Sequence, residues 1–302
     1  MEEIAKAQLA RFTTLKIGGE ADRLCVPANA DELASLLDHL KSNSEPWHIL
    51  GGGSNLLISS KGVPGTVIRL AQITSMTSPE PQLIEAGTGA RLPHLARYAA
   101  SLGLSGLEFS VGIPGTVGGA VVMNAGAHGS CVANIFESAV VFDTKRWDLI
   151  TMSKEDLAFE YRRSAIDPER QIVLSAKFRL TPDKKEEIDA RIRHNEEYRW
   201  KTQPLSWPSA GSTFKNPNQE HSAGFLLDKA GAKHMREGNA AVSAVHANFV
   251  INMGGATSQE VTTLLRRMQE LVHNEFSVLL KPEWKKLGLF DTSEYEVWNG
   301  ER

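Results

Sequence analysis

Gly51-Gly52-Gly53-Ser54-Asn55 follows directly on an apolar run, Trp47-His48-Ile49-Leu50, and further along the chain carries Gly112-Ile113-Pro114-Gly115-Thr116-Val117-Gly118-Gly119. Three successive glycines leave the backbone without Cβ atoms and open to positive φ. Consecutive N–H groups can then face one concavity suited to phosphate oxygens, with Ser54 and Asn55 adding side-chain donors. A lone Gly-Gly-Gly is explained as well by a tight turn between strands. The loop is neither standard nucleotide fingerprint: a dinucleotide motif needs a third glycine where Leu56 stands, and a P-loop needs a Lys-Ser/Thr pair that is absent. The second stretch strengthens the phosphate reading, because Pro114 stiffens it, Thr116 offers a hydroxyl, and Met123-Asn124-Ala125-Gly126-Ala127 follows at once. So many small residues suggest a large flat ligand against the backbone; the plain structural alternative is a glycine-rich bulge.

Outward from these loops, short strands and helices alternate through the first 75 residues. Leu33, Leu36, Leu37 and Leu40 recur at helical spacing behind the acids Asp31 and Glu32. Leu56-Leu57-Ile58 and Thr66–Leu70 read as strands. From Gln82 the texture turns to short strands, with one helix marked by Leu92, Leu95, Ala96 and Ala99 and ended by Gly103. Between Ile172 and Leu180 alternate residues fall on opposite faces of a strand. A charged helical stretch, Lys184–Lys201, runs to Pro204 and Pro208, which mark a domain boundary. Thr257-Ser258-Gln259-Glu260 has capping-box spacing, and Val261, Leu264, Leu265, Met268, Leu271 and Val272 form one core-facing stripe. A strand is predicted over Phe276–Leu280.

At 302 residues, 41% hydrophobic and 23% charged, the chain has the composition of a globular protein of two or three domains. A net charge of −3 argues against nucleic acid or an anionic membrane as the main partner. The two cysteines, Cys25 and Cys131, have neither metal spacing nor the pattern of a disulfide framework, so a reducing compartment is the simpler reading. Met1–Lys6 opens acidic and leads into no long apolar region, so no secretory signal is expected. No run of apolar residues is long enough for a membrane span. The expected location is cytoplasmic.

Other segments carry chemistry only in combination. In Tyr161-Arg162-Arg163-Ser164 an arginine could take a carboxylate or phosphate bidentately, although such pairs also occur as a solvated face with one ion pair. Ser209–Pro217 gathers hydroxyls around Gly211, with Lys215 and Asn216 beyond; a hydroxyl acid such as Ser212 needs a nearby activating group or a very basic acceptor. No Gly-x-Ser-x-Gly elbow supports a serine hydrolase. His246 stands before a buried-looking strand, a place where histidine is more often structural than catalytic. Glu283, in Pro282-Glu283-Trp284, becomes chemical only if the fold delivers it to the arginines.

In combination, seven segments resemble the UDP-N-acetylenolpyruvoylglucosamine reductase family, flavoenzymes of early bacterial peptidoglycan synthesis. They are Thr13–Gly19, Gly51–Leu57, Gly106–Phe109 with Gly112–Gly129, Tyr161–Ser164, Ala210–Pro217, Val242–Asn252 and Pro282-Glu283, in family order across nearly the whole chain. The resemblance implies an α+β fold in three parts. A two-subdomain FAD-binding module of the vanillyl-alcohol-oxidase type would cover 1–75 and 76–205, and a C-terminal α/β substrate-binding domain 206–302. It implies non-covalent FAD held by Gly51, Gly52, Gly53, Ser54, Asn55, Pro114, Gly115, Thr116, Gly118, Gly119, Asn124, Ala125 and Gly126, and no metal. NADPH would reduce FAD and leave, and the enolpyruvyl UDP-sugar nucleotide would then take a hydride at its terminal vinyl carbon. The resulting UDP-N-acetylmuramate is a peptidoglycan precursor.

By the same resemblance Arg162 supports the charge that builds toward the substrate carboxylate, Glu283 helps to polarise that group, and Ser212 protonates the adjacent carbon. Lys215 and Asn216 hold substrate, and a monomer is expected. Phe12, His128, Lys281 and the stretch Phe290–Arg302 depart from the family pattern, and no insertion between Ser164 and Trp200 could supply a substrate-closing tyrosine loop, which marks the shorter family type. Two alternatives stand beside this one: an FAD-dependent oxidase or dehydrogenase of the same fold, and a non-catalytic nucleotide-binding relative. Covalent flavin attachment, common in such oxidases, finds no obvious residue here beyond His128, near Cys131.

Overall fold

The computed structural model describes residues 1–218 and 220–298. The chain divides into two compact units, one made of 1–3, 24–52 and 66–199, the other of 4–23, 53–65 and 200–302. Of the stretch Phe290–Arg302, residues 299–302 lie outside the described residues.

In the first unit, strand Trp47–Leu50 runs parallel to the Thr66–Arg69 part of strand Val63–Arg69, with Trp47 opposite Thr66 and Leu50 opposite Arg69. Helix Ala30–Ser42 packs Leu33, Leu36, Leu37 and Leu40 into a core shared with Ile68, Leu70, Phe142, Ile172 and Leu174. Its start is capped reciprocally: Asn29 Oδ1 accepts from Glu32 N at 2.9 Å and Glu32 Oε2 accepts from Ala28 N at 2.8 Å. Such a cap is worth about 1 kcal/mol.

A five-stranded antiparallel sheet follows, in the order Asp148–Ser153, Phe136–Asp143, Gln171–Arg179, Leu83–Gly87, Met76–Glu80. Its central strand is the one predicted from alternation. A register shift at Val140/Val141 places Val173 in the second core of the unit beside Ala176 and Phe178, so both of its faces carry buried residues. Helix Leu92–Ser101 covers that core and is followed by Gly103 at φ +67°.

The second unit is built around helix Ser258–Phe276, whose capping box is complete: Glu260 N donates to Thr257 Oγ1 at 3.2 Å and Thr257 N to Glu260 Oε2 at 2.8 Å. Val261, Leu264, Leu265, Met268 and Val272 are buried with Leu15, Ile17 and Leu57 from far earlier in the chain. Truncating Leu264 to alanine there is expected to cost about 2–5 kcal/mol. Leu271 is only partly buried at the edge. The unit also holds a small antiparallel sheet, Arg236–Glu237, Ala240–Val242 and Val250–Asn252, and a parallel pair, Leu56–Ile58 with Lys285–Leu287.

The predicted strand over Phe276–Leu280 does not form. The helix runs on to Phe276 and stops at Ser277, at φ +56° in the left-handed region, whose N–H donates to His273 O. Beyond it the chain makes an isolated bridge, Phe214 with Pro282, before entering the strand Lys285–Leu287. Among the described residues no helix is long and apolar enough to cross a membrane, and no cluster of His, Cys, Asp or Glu is placed to hold a metal.

Candidate cofactor and active site

Strand Trp47–Leu50 delivers the chain to Gly51 and Gly52, and the structure brings these against the second glycine-rich stretch within the first unit. A Cβ on Gly51 would stand 3.2 Å from Thr116 Oγ1, and one on Gly52 3.2 Å from Pro114 O and 3.3 Å from Gly115 Cα. A side chain at either position would press on its neighbours by a few tenths of an ångström. Gly118 is also a packing glycine: a Cβ there would overlap Thr88 Oγ1 at 2.1 Å, and its N–H donates to Thr88 O at 2.9 Å. Gly119 is different. It is exposed, and a Cβ on it would meet nothing nearer than Thr116 Oγ1 at 3.8 Å.

Asn124, at φ +41°, is buried with both ends of its amide engaged: Nδ2 donates to Glu160 O at 2.8 Å and Oδ1 accepts from Ala133 N at 2.9 Å. Ala125 is bonded through its backbone to Ala120 and Val132. Gly126 pairs with Cys131 in a two-residue hairpin whose turn, His128-Gly129, has positive φ at both positions, the requirement of a type I′ turn. Arg162 reaches this hairpin, its Nη2 donating to Gly126 O at 2.8 Å. It is the third residue of a tight turn closed by bonds between Glu160 and Arg163, and sits at φ +57° with its guanidinium 5.0 Å from the Tyr161 ring centre. An arginine in the left-handed region is strained by about 1–2 kcal/mol, and such residues cluster at functional sites.

The boundary between units falls between Gly52 and Gly53. In the second unit Gly53, at φ +61°, lies so close to Phe12 that a Cβ would be 2.1 Å from Phe12 O, and its own carbonyl accepts from Thr14 N at 3.0 Å. Asn55 braces the backbone at Glu283: Nδ2 donates to Glu283 O at 3.2 Å, and its carbonyl accepts from Lys285 N at 3.0 Å. Glu283 N donates to Thr213 O at 2.8 Å and Lys215 N to Lys281 O at 2.9 Å. Thus Ser212, beside Thr213, and Glu283 are carried on neighbouring antiparallel backbones.

Asn248 locks the other side of this pairing: Oδ1 accepts from Phe214 N at 2.9 Å and Nδ2 donates to Phe214 O at 2.9 Å, while Asn248 O takes Thr213 N at 2.8 Å. His246 is structural here, its Nδ1 accepting from Asn248 N at 3.1 Å. Burial, with help from the nearby Lys233 charge, holds its imidazole below the usual 6.5 and so neutral at pH 7. Asn216 Oδ1 accepts from Ala223 N at 3.1 Å, at the first residue of helix Ala223–Lys229.

Comparison with known proteins settles the family. Residues 203–287 match the C-terminal domain of UDP-N-acetylenolpyruvoylglucosamine reductase, and residues 21–144 match an FAD binding domain. A UDP-N-acetylenolpyruvoylglucosamine reductase of Caldicellulosiruptor saccharolyticus is 41% identical over 299 residues, covering 98% of this chain and 96% of that protein; one from Synechococcus sp. (strain RCC307) is 44% identical over 288 residues, covering 95% and 94%. A crystal structure of the reductase from Thermus caldophilus superposes with a TM-score of 0.80 at 36% identity, covering 95% of this chain and 98% of that one.

The chain belongs to the UDP-N-acetylenolpyruvoylglucosamine reductase family.

Within this family frame the glycine-rich stretches fit an FAD. Gly51 and Gly52 pack tightly onto Pro114, Gly115 and Thr116, and Gly119 leaves bare backbone facing open space at the start of helix Val117–Val122. Sequence reasoning missed two arginines beside these residues. Arg91 bridges to Thr116 through its backbone. Arg199 packs on Gly112, where a Cβ would be 3.0 Å from its Cδ, and burial pushes its guanidinium below the ordinary arginine value. A signal for Arg199 was present: Ile188, Ile192 and Asn195, all buried, precede it at spacings of four, three and four on one helical face. The bracing roles of Asn55 and Asn248 had no local signal at all.

Proposed function

We propose that this chain is an NADPH-dependent flavoenzyme that reduces the enolpyruvyl group of UDP-N-acetylglucosamine enolpyruvate to give UDP-N-acetylmuramate, a step of peptidoglycan precursor synthesis in the cytoplasm. The observation that carries this reading is the pairing around Phe214 and Pro282, which seats Ser212 and Glu283 on adjacent backbones in a chain that matches its reductase relatives almost end to end. The residues on either side of residue 76 in the first unit are the two halves of the FAD module: helix Ala30–Ser42 with its parallel strand pair before it, the five-stranded sheet after it, with Phe142, Ile172 and Leu174 of the later half packing into the core of the earlier one.

The chemistry supplied by bound FAD is hydride relay, from NADPH to the terminal vinyl carbon of the enolpyruvyl group. What the protein adds is control of charge and of one proton. Hydride arrival at the vinyl carbon pushes negative charge onto the neighbouring carbon and its carboxylate. Arg162, held by Gly126 and by its own turn, meets that charge with a fixed, permanently cationic fork. Glu283 helps to polarise the same group. Ser212 donates its hydroxyl proton to the carbanion-like carbon, a base strong enough to take it, which completes addition of hydride and proton across the double bond. Lys215 and Asn216 hold the UDP-sugar nucleotide, and the chain works as a monomer without metal or nucleic acid.

The test uses the two half-reactions under anaerobic conditions. The purified protein should be yellow, release intact FAD on denaturation and be bleached by NADPH, and the enolpyruvyl sugar nucleotide should restore the colour. A protein without affinity for FAD overturns the reading. Bleaching without recovery overturns the substrate alone. Ser212→Ala should bleach with NADPH at the normal rate while reoxidation slows by about 10²–10⁴-fold; an equal loss in both halves would remove the proton-donor role.

A further inference from the structure

Glu283 sits in a backbone tied at four points within the second unit. Its N–H goes to Thr213 O, its carbonyl receives Asn55 Nδ2 at 3.2 Å, and Lys285 N goes to Asn55 O. The fourth tie comes from the segment that the family pattern left unplaced. Trp298 Nε1 donates to Trp284 O at 3.1 Å, the carbonyl directly after Glu283, and Trp298 is 4% exposed.

That segment is itself fixed from several sides. Asp291 opens it with a capping box, its N–H on Glu294 Oε2 at 2.9 Å, and the buried Glu294 accepts from Ser258 Oγ at 3.0 Å. Gln269 Nε2 donates both to Val297 O at 3.1 Å and to Leu280 O at 2.9 Å, tying the segment to the stretch that enters Pro282. Lys286 stands 4.5 Å from the Tyr295 ring centre and 5.1 Å from that of Trp298. Trp284 is fully buried, with its own indole N–H lacking a hydrogen-bond partner among the described residues. A buried orphan donor is costly and persists where its surroundings over-determine the side chain. Trp284 is therefore held by packing and through its carbonyl.

We infer that Asp291–Trp298 is a latch that positions Glu283, acting through the hydrogen bond from the Trp298 indole to the Trp284 carbonyl. Trp298 is a positioning residue, and the inference rests on the role proposed above for Glu283. Without the indole N–H, the buried Trp284 carbonyl loses its donor and the peptide after Glu283 is free to turn toward another.

The test compares W298F, E283Q and the double variant in the holoenzyme, following NADPH bleaching and substrate reoxidation separately, with the thermal midpoint recorded for each. W298F should slow reoxidation at saturating substrate by about three- to tenfold, with bleaching unchanged. In the E283Q background the same substitution should add nothing, because the group it positions is gone. If phenylalanine unsettles the fold, benzothienylalanine at position 298 keeps the indole's shape without its N–H and gives the same readout. An unchanged reoxidation rate, or an equal loss in both half-reactions, overturns the latch. A W298F effect that persists in full in E283Q also overturns it while leaving the Glu283 role intact. An E283Q enzyme that reoxidises normally sinks the Glu283 role and the latch together.

Discussion

The neighbourhood of Arg162 and that of Ser212 and Glu283 place their side chains by opposite means. Around Arg162 the positioning is torsional: Asn124, His128, Gly129 and Arg162 all have positive φ, between 41° and 77°, and the side chain hangs from a tight turn. Around Ser212 and Glu283 positive φ is confined to Gly211, a glycine that carries no Cβ strain there, and the positioning comes from side-chain amides bonded to distant peptides, above all Asn248 to Phe214 and Asn55 to Glu283. Strain is a local device; bracing depends on parts of the chain that meet only in the folded state. A substitution can therefore remove function at Arg162 without loosening the fold, whereas at the braces the two should fall together.

The sharpest way to break this contrast is Arg162→Gly. Glycine relieves the left-handed strain, about 1 kcal/mol, and gives back a similar amount of unfolded-state entropy, about 0.5–1 kcal/mol. The thermal midpoint should stay close to that of the parent while substrate reoxidation falls by about 10²–10³-fold. A large loss of stability would show that the turn is structural. On the braced side, Asn248→Ala leaves Phe214 N–H and C=O unpaired in the core, and denaturant unfolding should show a loss of about 2–3 kcal/mol together with slowed reoxidation. Full stability in that variant would refute the bracing.

The glycines refine the comparison. Gly53→Ala forces a Cβ toward Phe12 O at positive φ and should destabilise by about 2 kcal/mol or more even without cofactor. Gly119→Ala has room, so the FAD-free protein should keep its midpoint while FAD affinity, read by flavin fluorescence quenching, drops about tenfold. Equal affinity would take Gly119 out of the cofactor site.

The smallest effect concerns pH. Because His246 is held below 6.5 in the folded protein, the unfolded chain takes up a proton there first as the pH falls. The unfolded state thus binds more protons below pH 6.5, and stability declines with acidification through that window. His246→Asn, which keeps an acceptor for Asn248 N–H, should flatten this part of a stability–pH curve; an unchanged slope would assign it to other groups.

Much of this was legible from short-range pattern. The Thr257 capping box and the leucine stripe of Ala30–Ser42 are read from neighbours within a few residues, and each forms as its spacing implies. The end of helix Ser258–Phe276 was misplaced because Phe276, Val278 and Leu280 alternate like a strand, while the stop signal is a left-handed serine, which lacks the usual glycine mark. The sequence offers Asn55 as a phosphate donor and gives no sign that its Nδ2 also donates to a carbonyl 228 residues away. No local rule contains a partner at that distance. The same holds for Asn252, which donates to Leu15 O across 237 residues.

The interleaving of the two units has a consequence for synthesis on the ribosome. Leu15, Ile17 and Leu57 belong to a core whose other members begin at Ala210. At about 5–20 residues per second, Leu57 waits about 8–30 s for the nearest of those partners to be made. During that interval the first unit gains nearly all of its own residues, while three apolar side chains of the second stay without their core. The nascent chain is therefore most exposed to chaperones and proteases at residues 4–23 and 53–65, and pulse proteolysis of stalled chains would find its earliest cuts there.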